Sequence, residues 1–95
     1  MGRTLTVARA MVPAACEREY TGLLAELEAV VRRRGARFWA FRSRSDPGAF
    51  LEFLEVDGAS AGARPHEEIA LERRLRALAT YGPDAEQVWD EFTLR

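Results

Sequence analysis

Residues 37–57 read RFWAFRSRSDPGAFLEFLEVD, two runs of strand-forming residues on either side of Asp46-Pro47-Gly48. Phe38, Trp39 and Phe41 stand in the first run, and Phe50, Leu51, Phe53, Leu54 and Val56 in the second. Proline pre-sets φ and glycine accepts positive φ, so the chain reverses between the runs without strain. The result is a β-hairpin. Setting Ser45 opposite Ala49 places Arg42 opposite Glu52, Phe41 opposite Phe53, Ala40 opposite Leu54 and Phe38 opposite Val56. A slip of one residue would set Phe41 against Glu52 and Phe38 against Glu55, so charge pairing and apolar pairing both favour the first register.

Side chains alternate along a strand. Trp39, Phe41, Leu51 and Phe53 therefore share one face of the hairpin, and Phe38, Ala40, Phe50, Leu54 and Val56 share the other. Both faces are largely apolar. Helices packed on one side of such a sheet leave the second side needing a cover, and for a chain of this size a second copy of itself is the economical one.

Ninety-five residues make one domain with a modest core and a thin stability margin that association would widen. Hydrophobic content of 47% beside 31% charged residues is that of a soluble globular chain rather than a disordered one. A net charge of −1 gives no reason to expect nucleic acid or an anionic membrane as partner. All 14 basic residues are arginine, and neither lysine nor asparagine occurs. We read this as the imprint of a GC-rich, bacterial coding sequence, a hypothesis that the gene's base composition tests. No Schiff-base lysine and no asparagine side chain is then available for catalysis.

The single cysteine, Cys16, excludes an intrachain disulfide and makes a cytoplasmic setting the default. It sits near a predicted helix start, where a thiol is activated, although a lone cysteine is more simply a small buried side chain. No run approaches the roughly 18 apolar residues that span a bilayer, and no signal-peptide core opens the chain.

The remaining elements follow from periodicity and punctuation. Residues 4–12 (TLTVARAMV) form a first strand, ended by Pro13. Residues 14–34 form a long helix, with Tyr20, Leu23, Leu24, Leu27, Val30 and Val31 at helical spacing. Arg32-Arg33-Arg34 fills its last turn as a solvated end, and Gly35 caps it. A small-residue loop, residues 58–64 (GASAGAR), leads to Pro65 and a second helix over residues 66–80. Glu67 and Glu68 lie in its first turn, and Leu71, Leu75 and Leu78 form its stripe. Gly82-Pro83 stops that helix. Asp84 and Gln87 have capping-box spacing, which predicts a short helical turn over residues 85–89 and a last strand over residues 91–95. The order β-α-β-β-α, with a final β, is the split arrangement of a ferredoxin-like α+β sandwich, an antiparallel sheet with two helices on one face.

Several of these features together resemble the dimeric α/β-barrel superfamily. They are the long first helix ending in Gly35-Ala36-Arg37, the Asp46-Pro47 turn, a strand closing on Glu55-Val56, and His66 opening the second helix. The likeness spans almost the whole chain, through diffuse motifs, and leans toward the antibiotic-biosynthesis-monooxygenase-like and NIPSNAP-like branches. It implies a homodimer paired through its sheets. Members include cofactor-independent monooxygenases of aromatic polyketides, haem-degrading enzymes and domains of unassigned activity. Haem degradation relies on an asparagine, a tryptophan and a histidine, and this chain has no asparagine. Cofactor-free oxygenation implies an aromatic-walled pocket that stabilises a substrate carbanion near dioxygen.

On that resemblance, Tyr20, Trp39, Phe41, Phe53, Tyr81 and Trp89 are candidate walls for a small apolar ligand, and Arg42, Glu55 and His66 the candidate polar, catalytic groups. Each also has a structural reading. His66, the only histidine, is a candidate general base or a solvated residue at a helix start. Arg42 pairs across the hairpin with Glu52, Glu55 is a rim charge, and Trp39 and Trp89 are core or dimer contacts. No metal-ligand spacing, phosphate loop or nucleophile elbow is present, so neither metal nor cofactor is expected. Two other functions share the element order. One is a non-catalytic small-ligand-binding or assembly module. The other is an RNA-recognition domain, whose third-strand motif Gly48 to Phe53 partly resembles. It lacks a preceding basic residue and the full spacing of that motif.

Overall fold

A computed structural model describes residues 2–58 and 64–94. The loop expected over residues 58–64 lies, for residues 59–63, outside the described residues. Six main elements follow in the order β1 (Thr4–Met11), α1 (Glu17–Arg33), β2 (Arg37–Arg42), β3 (Ala49–Val56), α2 (His66–Leu78) and β4 (Glu86–Asp90). A 3₁₀ turn, Ala14–Cys16, leads into α1. The four strands form one antiparallel sheet in the order β2-β3-β1-β4. This is the ferredoxin-like α+β sandwich expected from the sequence.

The α1 stripe seals the helix layer onto the sheet. Tyr20, Leu23, Leu27, Val30 and Val31 are buried along α1, and Leu71 and Leu75 along α2, against Ala10, Phe38 and Phe50 of the strands. Burying a leucine or valine of this kind stabilises by about 1.5–3 kcal/mol each. Gly35 ends α1 with φ 81°, the left-handed conformation that relieves a helix C-terminus and that side chains with a Cβ resist.

The hairpin forms where expected, but its register differs by two residues. Trp39 stands opposite Phe53, Phe38 opposite Leu54, and Arg42 opposite Phe50. The turn explains the shift. Ala49 N donates to Asp46 O at 2.9 Å, while Ser43 N donates to Ala49 O at 2.9 Å and Ser43 Oγ accepts from Asp46 N at 3.0 Å. Ser43 therefore ends the ladder, not Ser45. Because the difference is an even number, every side chain keeps its predicted face. Gly48 serves a different purpose from the one expected: its φ is not positive, but a Cβ there would sit 3.2 Å from the Val12 carbonyl, which accepts no such approach easily.

The C-terminal expectation is corrected. Residues 85–89 do not form a helical turn, and residues 91–94 are not a strand; β4 occupies Glu86–Asp90 instead. Pro83 and Asp84 form the centre of a turn closed by Ala85 N donating to Gly82 O at 3.0 Å. The free edge of β1 then supplies a full ladder to residues 86–90, which outweighs a single local cap.

The arginine run also departs from a purely solvated end. Arg34 reaches Glu68, a side chain with no exposed surface, through two bonds of 2.8 and 2.9 Å. Arg33 meets Glu67 at 2.9 Å. The end of α1 is thus fastened to the start of α2. Among the described residues no helix is long and apolar enough to cross a membrane.

Candidate functional site

The sheet divides the candidate residues between two faces. On the face turned away from the helices, Trp39 stacks on Phe53 with ring centroids 5.4 Å apart and planes within 6°. Phe41 meets Phe53 edge-on at 5.6 Å. Glu55 lies on this same face, 3.8 Å from Arg3 and 3.7 Å from Arg37. Trp89 stands opposite Leu5, which stands in turn opposite Glu55. Phe41, Trp89, Met11 and Leu51 are all substantially exposed here, giving a broad apolar surface of the sort that marks an interaction site.

Tyr20 and Tyr81 lie on the other side, and they meet on a residue that sequence reasoning assigned elsewhere. Glu52 points from the middle of β3 into the helix-covered face and is only 8% exposed. The Tyr20 hydroxyl donates to its Oε2 at 2.6 Å and the Tyr81 hydroxyl to the same atom at 2.5 Å. Among the described residues no donor meets the other oxygen, Oε1. Such short bonds to an ionised acceptor are the strong, charge-assisted kind.

Local structure brings the three together. Glu52 has alanines as both cross-strand neighbours, Ala8 and Ala40, so the sheet leaves room above the carboxylate. Tyr20 enters from the first turn of α1, packed 4.9 Å from the Phe50 ring. Tyr81 is held by the residue before it, since Thr80 and Met11 exchange backbone bonds of 2.8 and 2.9 Å. A signal for Glu52 exists in the sequence: it is a carboxylate alternating with Phe50 and Leu54 on the face that the helices must cover. Pairing it with Arg42 obscured this. Arg42 instead bonds Glu17 at 2.5 Å and lies over the Phe50 ring.

A cavity of about 80 Å³ opens beside Glu52. Its apolar wall is Leu27, Val31, Phe38, Leu54 and Leu75, and Tyr81 lines it too. Four charged residues line it as well, and they pair off: Arg64 with Glu72, and Arg76 with Glu86 at 3.5 Å. Arg76 also covers the Tyr81 ring, its guanidinium carbon 4.5 Å from the centroid. Both arginines are about half exposed, so each pair contributes no more than about 1 kcal/mol and opens readily. Burial pushes the Glu52 carboxyl above the usual glutamate value, against the two tyrosine bonds, which pull it down. Burial, followed by the bond to Glu52, raises both phenols so far that they stay protonated donors.

His66 is exposed at the start of α2, away from this group. Among the described residues no cluster of histidine, cysteine, aspartate or glutamate is arranged to hold a metal ion. The arrangement offers a proton-accepting carboxylate at the end of a small pocket edged by aromatic and apolar side chains.

Solved structures with this architecture are numerous. A single-site variant of SnoaB, described as a cofactor-independent oxygenase from Streptomyces nogalater, superposes with a TM-score of 0.74 at 21% identity, covering 98% of this chain and 93% of that one. The chain has the fold of the antibiotic biosynthesis monooxygenases. A putative antibiotic biosynthesis monooxygenase from Nitrosomonas europaea gives a TM-score of 0.75 at 14% identity, covering 99% of this chain and 93% of that one. A conserved protein from Methanosarcina mazei gives 0.72 at 16%, covering 96% and 92%. No family model matches the sequence, and no curated protein matches it significantly. The monooxygenase fold accounts for the element order and the helix-covered sheet; at these identities it speaks to architecture alone.

Proposed function

We propose that this chain is a small cytoplasmic homodimer of the α/β-barrel type that acts on a small aromatic compound as a cofactor-independent oxygenase. The observation that carries the reading is the helix-side cavity ending on the Glu52 carboxylate, in a fold shared with an oxygenase that uses no cofactor. Such an enzyme needs a pocket that removes a proton from an activated carbon and shields the resulting carbanion from water. Dioxygen is the oxidant: one of its atoms enters the substrate as a carbonyl, and the other leaves as water with the two hydrogens of the substrate methylene. Tyr20 and Tyr81 hold the carboxylate, and the apolar wall seats the ring. On the opposite face, Trp39, Phe41, Phe53 and Trp89 receive a second copy of the chain rather than a substrate.

Oxygen uptake by the purified protein with a panel of enolisable aromatic compounds tests this. One dioxygen consumed per substrate, without added cofactor, is expected. Binding of the same compounds with no uptake above the uncatalysed rate would instead assign the chain as a ligand-binding module.

A further inference from the structure

The charges around the cavity do not balance evenly. Arg64 is matched by Glu72 and Arg76 by Glu86, which leaves Glu52 as the one lining charge without an ionic partner among the described residues. Among the described residues it has two neutral donors on one oxygen and none on the other. The room is also limited. A cavity of about 80 Å³ is well short of the roughly 150 Å³ that admits benzene in an engineered apolar core. A single ring therefore enters only when the half-exposed side chains of Arg64 and Arg76 swing aside, and a small ligand is favoured over a fused polycyclic one.

We propose that the cavity takes a neutral, single-ring weak acid, a phenol or its enol equivalent, and that Glu52 is the group that accepts its proton. The inference rests on the cavity being the functional site, as proposed above, and narrows what that site admits. The ligand hydroxyl meets Glu52 Oε1, the oxygen to which no donor among the described residues bonds. The ligand O–H bond breaks, an Oε1–H bond forms, and the electron pair stays on the ligand oxygen, spread over its ring. Tyr20 from α1 and Tyr81 after α2 are positioning residues: they fix Oε2 so that Oε1 faces the cavity. The other charged groups facing the carboxyl are Arg76 and Glu72 of α2, Glu86 of β4 and Arg64, and the pairing within this set leaves the transfer to Glu52. A ligand that already carries a carboxylate would be repelled. Burial, which raises the proton affinity of Glu52, acts in the same direction.

The experiment uses 4-nitrophenol, whose ionised form has its own absorption band, titrated with the full-length protein without oxygen at a pH well below the ligand's own pKa. Binding is expected to raise the phenolate band several-fold over that of the free ligand, and Glu52→Gln to return it to the free-ligand level. Tyr81→Phe, which keeps the carboxylate and the ring, removes one donor that pulls the Glu52 carboxyl down. Transfer at the plateau is then more complete, while the acid limb of the band moves to higher pH, where Glu52 has lost its own proton. A merely structural tyrosine would not move that profile. No binding, a bound ligand with the neutral spectrum, or an equal band in folded Glu52→Gln each overturns the proposal. A band without oxygen uptake in air leaves the proton acceptor standing and removes the oxygenase reading; uptake without a band does the reverse.

Discussion

The hydroxyls of Tyr20 and Tyr81, which come from opposite halves of the chain, meet on one oxygen of Glu52 at 2.6 and 2.5 Å. Through that atom the start of α1, the middle of β3 and the segment after α2 are joined inside the core. Hydrogen bonds to a charged group contribute about 1.5–3 kcal/mol. Tyr20→Phe is expected to lower the unfolding free energy by about that much, because Tyr20 is fully buried. Tyr81→Phe should cost less, since Tyr81 is only partly buried and water replaces part of the loss. Urea unfolding of the two variants measures the difference, and equal losses would mean that exposure does not weaken the Tyr81 bond.

The same carboxylate ties stability to pH. Glu52 has its carboxyl value raised by folding, so between the ordinary value of 4.5 and its raised value the folded state binds more protons than the unfolded state. Stability from this group is fully present below pH 4.5 and falls as pH rises through the raised value. Glu72, also raised by burial, adds to the same trend. Unfolding free energies measured from pH 4 upward should decline less steeply in Glu52→Gln than in the wild type. Parallel pH profiles would show that Glu52 does not titrate as assigned.

Arg34 and Arg33 are neighbours in sequence with opposite expectations. Removing Arg34 leaves Glu68, which has no exposed surface, without its ionic partner, and breaking a buried pair in this way costs about 3–5 kcal/mol. Arg33 and Glu67 are both more than half exposed, so Arg33→Ala should cost about 1 kcal/mol or less. Thermal and urea unfolding of the two alanine variants checks the contrast.

Phe41 is 61% exposed on the outer face, so an aspartate there should leave the protomer folded and still deny that face to a partner. Light scattering over a range of concentrations is expected to give the dimer mass for the wild type and the protomer mass for Phe41→Asp. A wild type that is monomeric at every concentration would remove the second copy from the proposed function.

The fold was legible because its signals are local and redundant. The helical spacing of Tyr20 to Val31, the cap at Gly35 and two aromatic strand runs around Asp46-Pro47-Gly48 all agree. Face assignment survived a two-residue error in register, since alternation depends only on even and odd positions. What was not legible depended on distant partners. The capping-box spacing of Asp84 and Gln87 is a local signal, and the edge of β1 overrode it. Glu52 was placed opposite Arg42 because a cross-strand ion pair is the simplest local account of a charge. Its actual partners, Tyr20 and Tyr81, are far away in sequence. The candidate set mixed two faces for the same reason: composition identifies aromatics, but only the assembled sheet sorts Trp39, Phe41, Phe53 and Trp89 from Tyr20 and Tyr81.

The most direct measurement of the central claim is residue-resolved NMR of the protein titrated with 4-nitrophenol. A functional cavity at Glu52 predicts saturable shifts at Glu52, Tyr81 and Leu75, with Trp39, Phe41 and Phe53 unmoved. Saturable shifts confined to Trp39, Phe41 and Phe53 would contradict it and place the ligand on the outer face of the sheet.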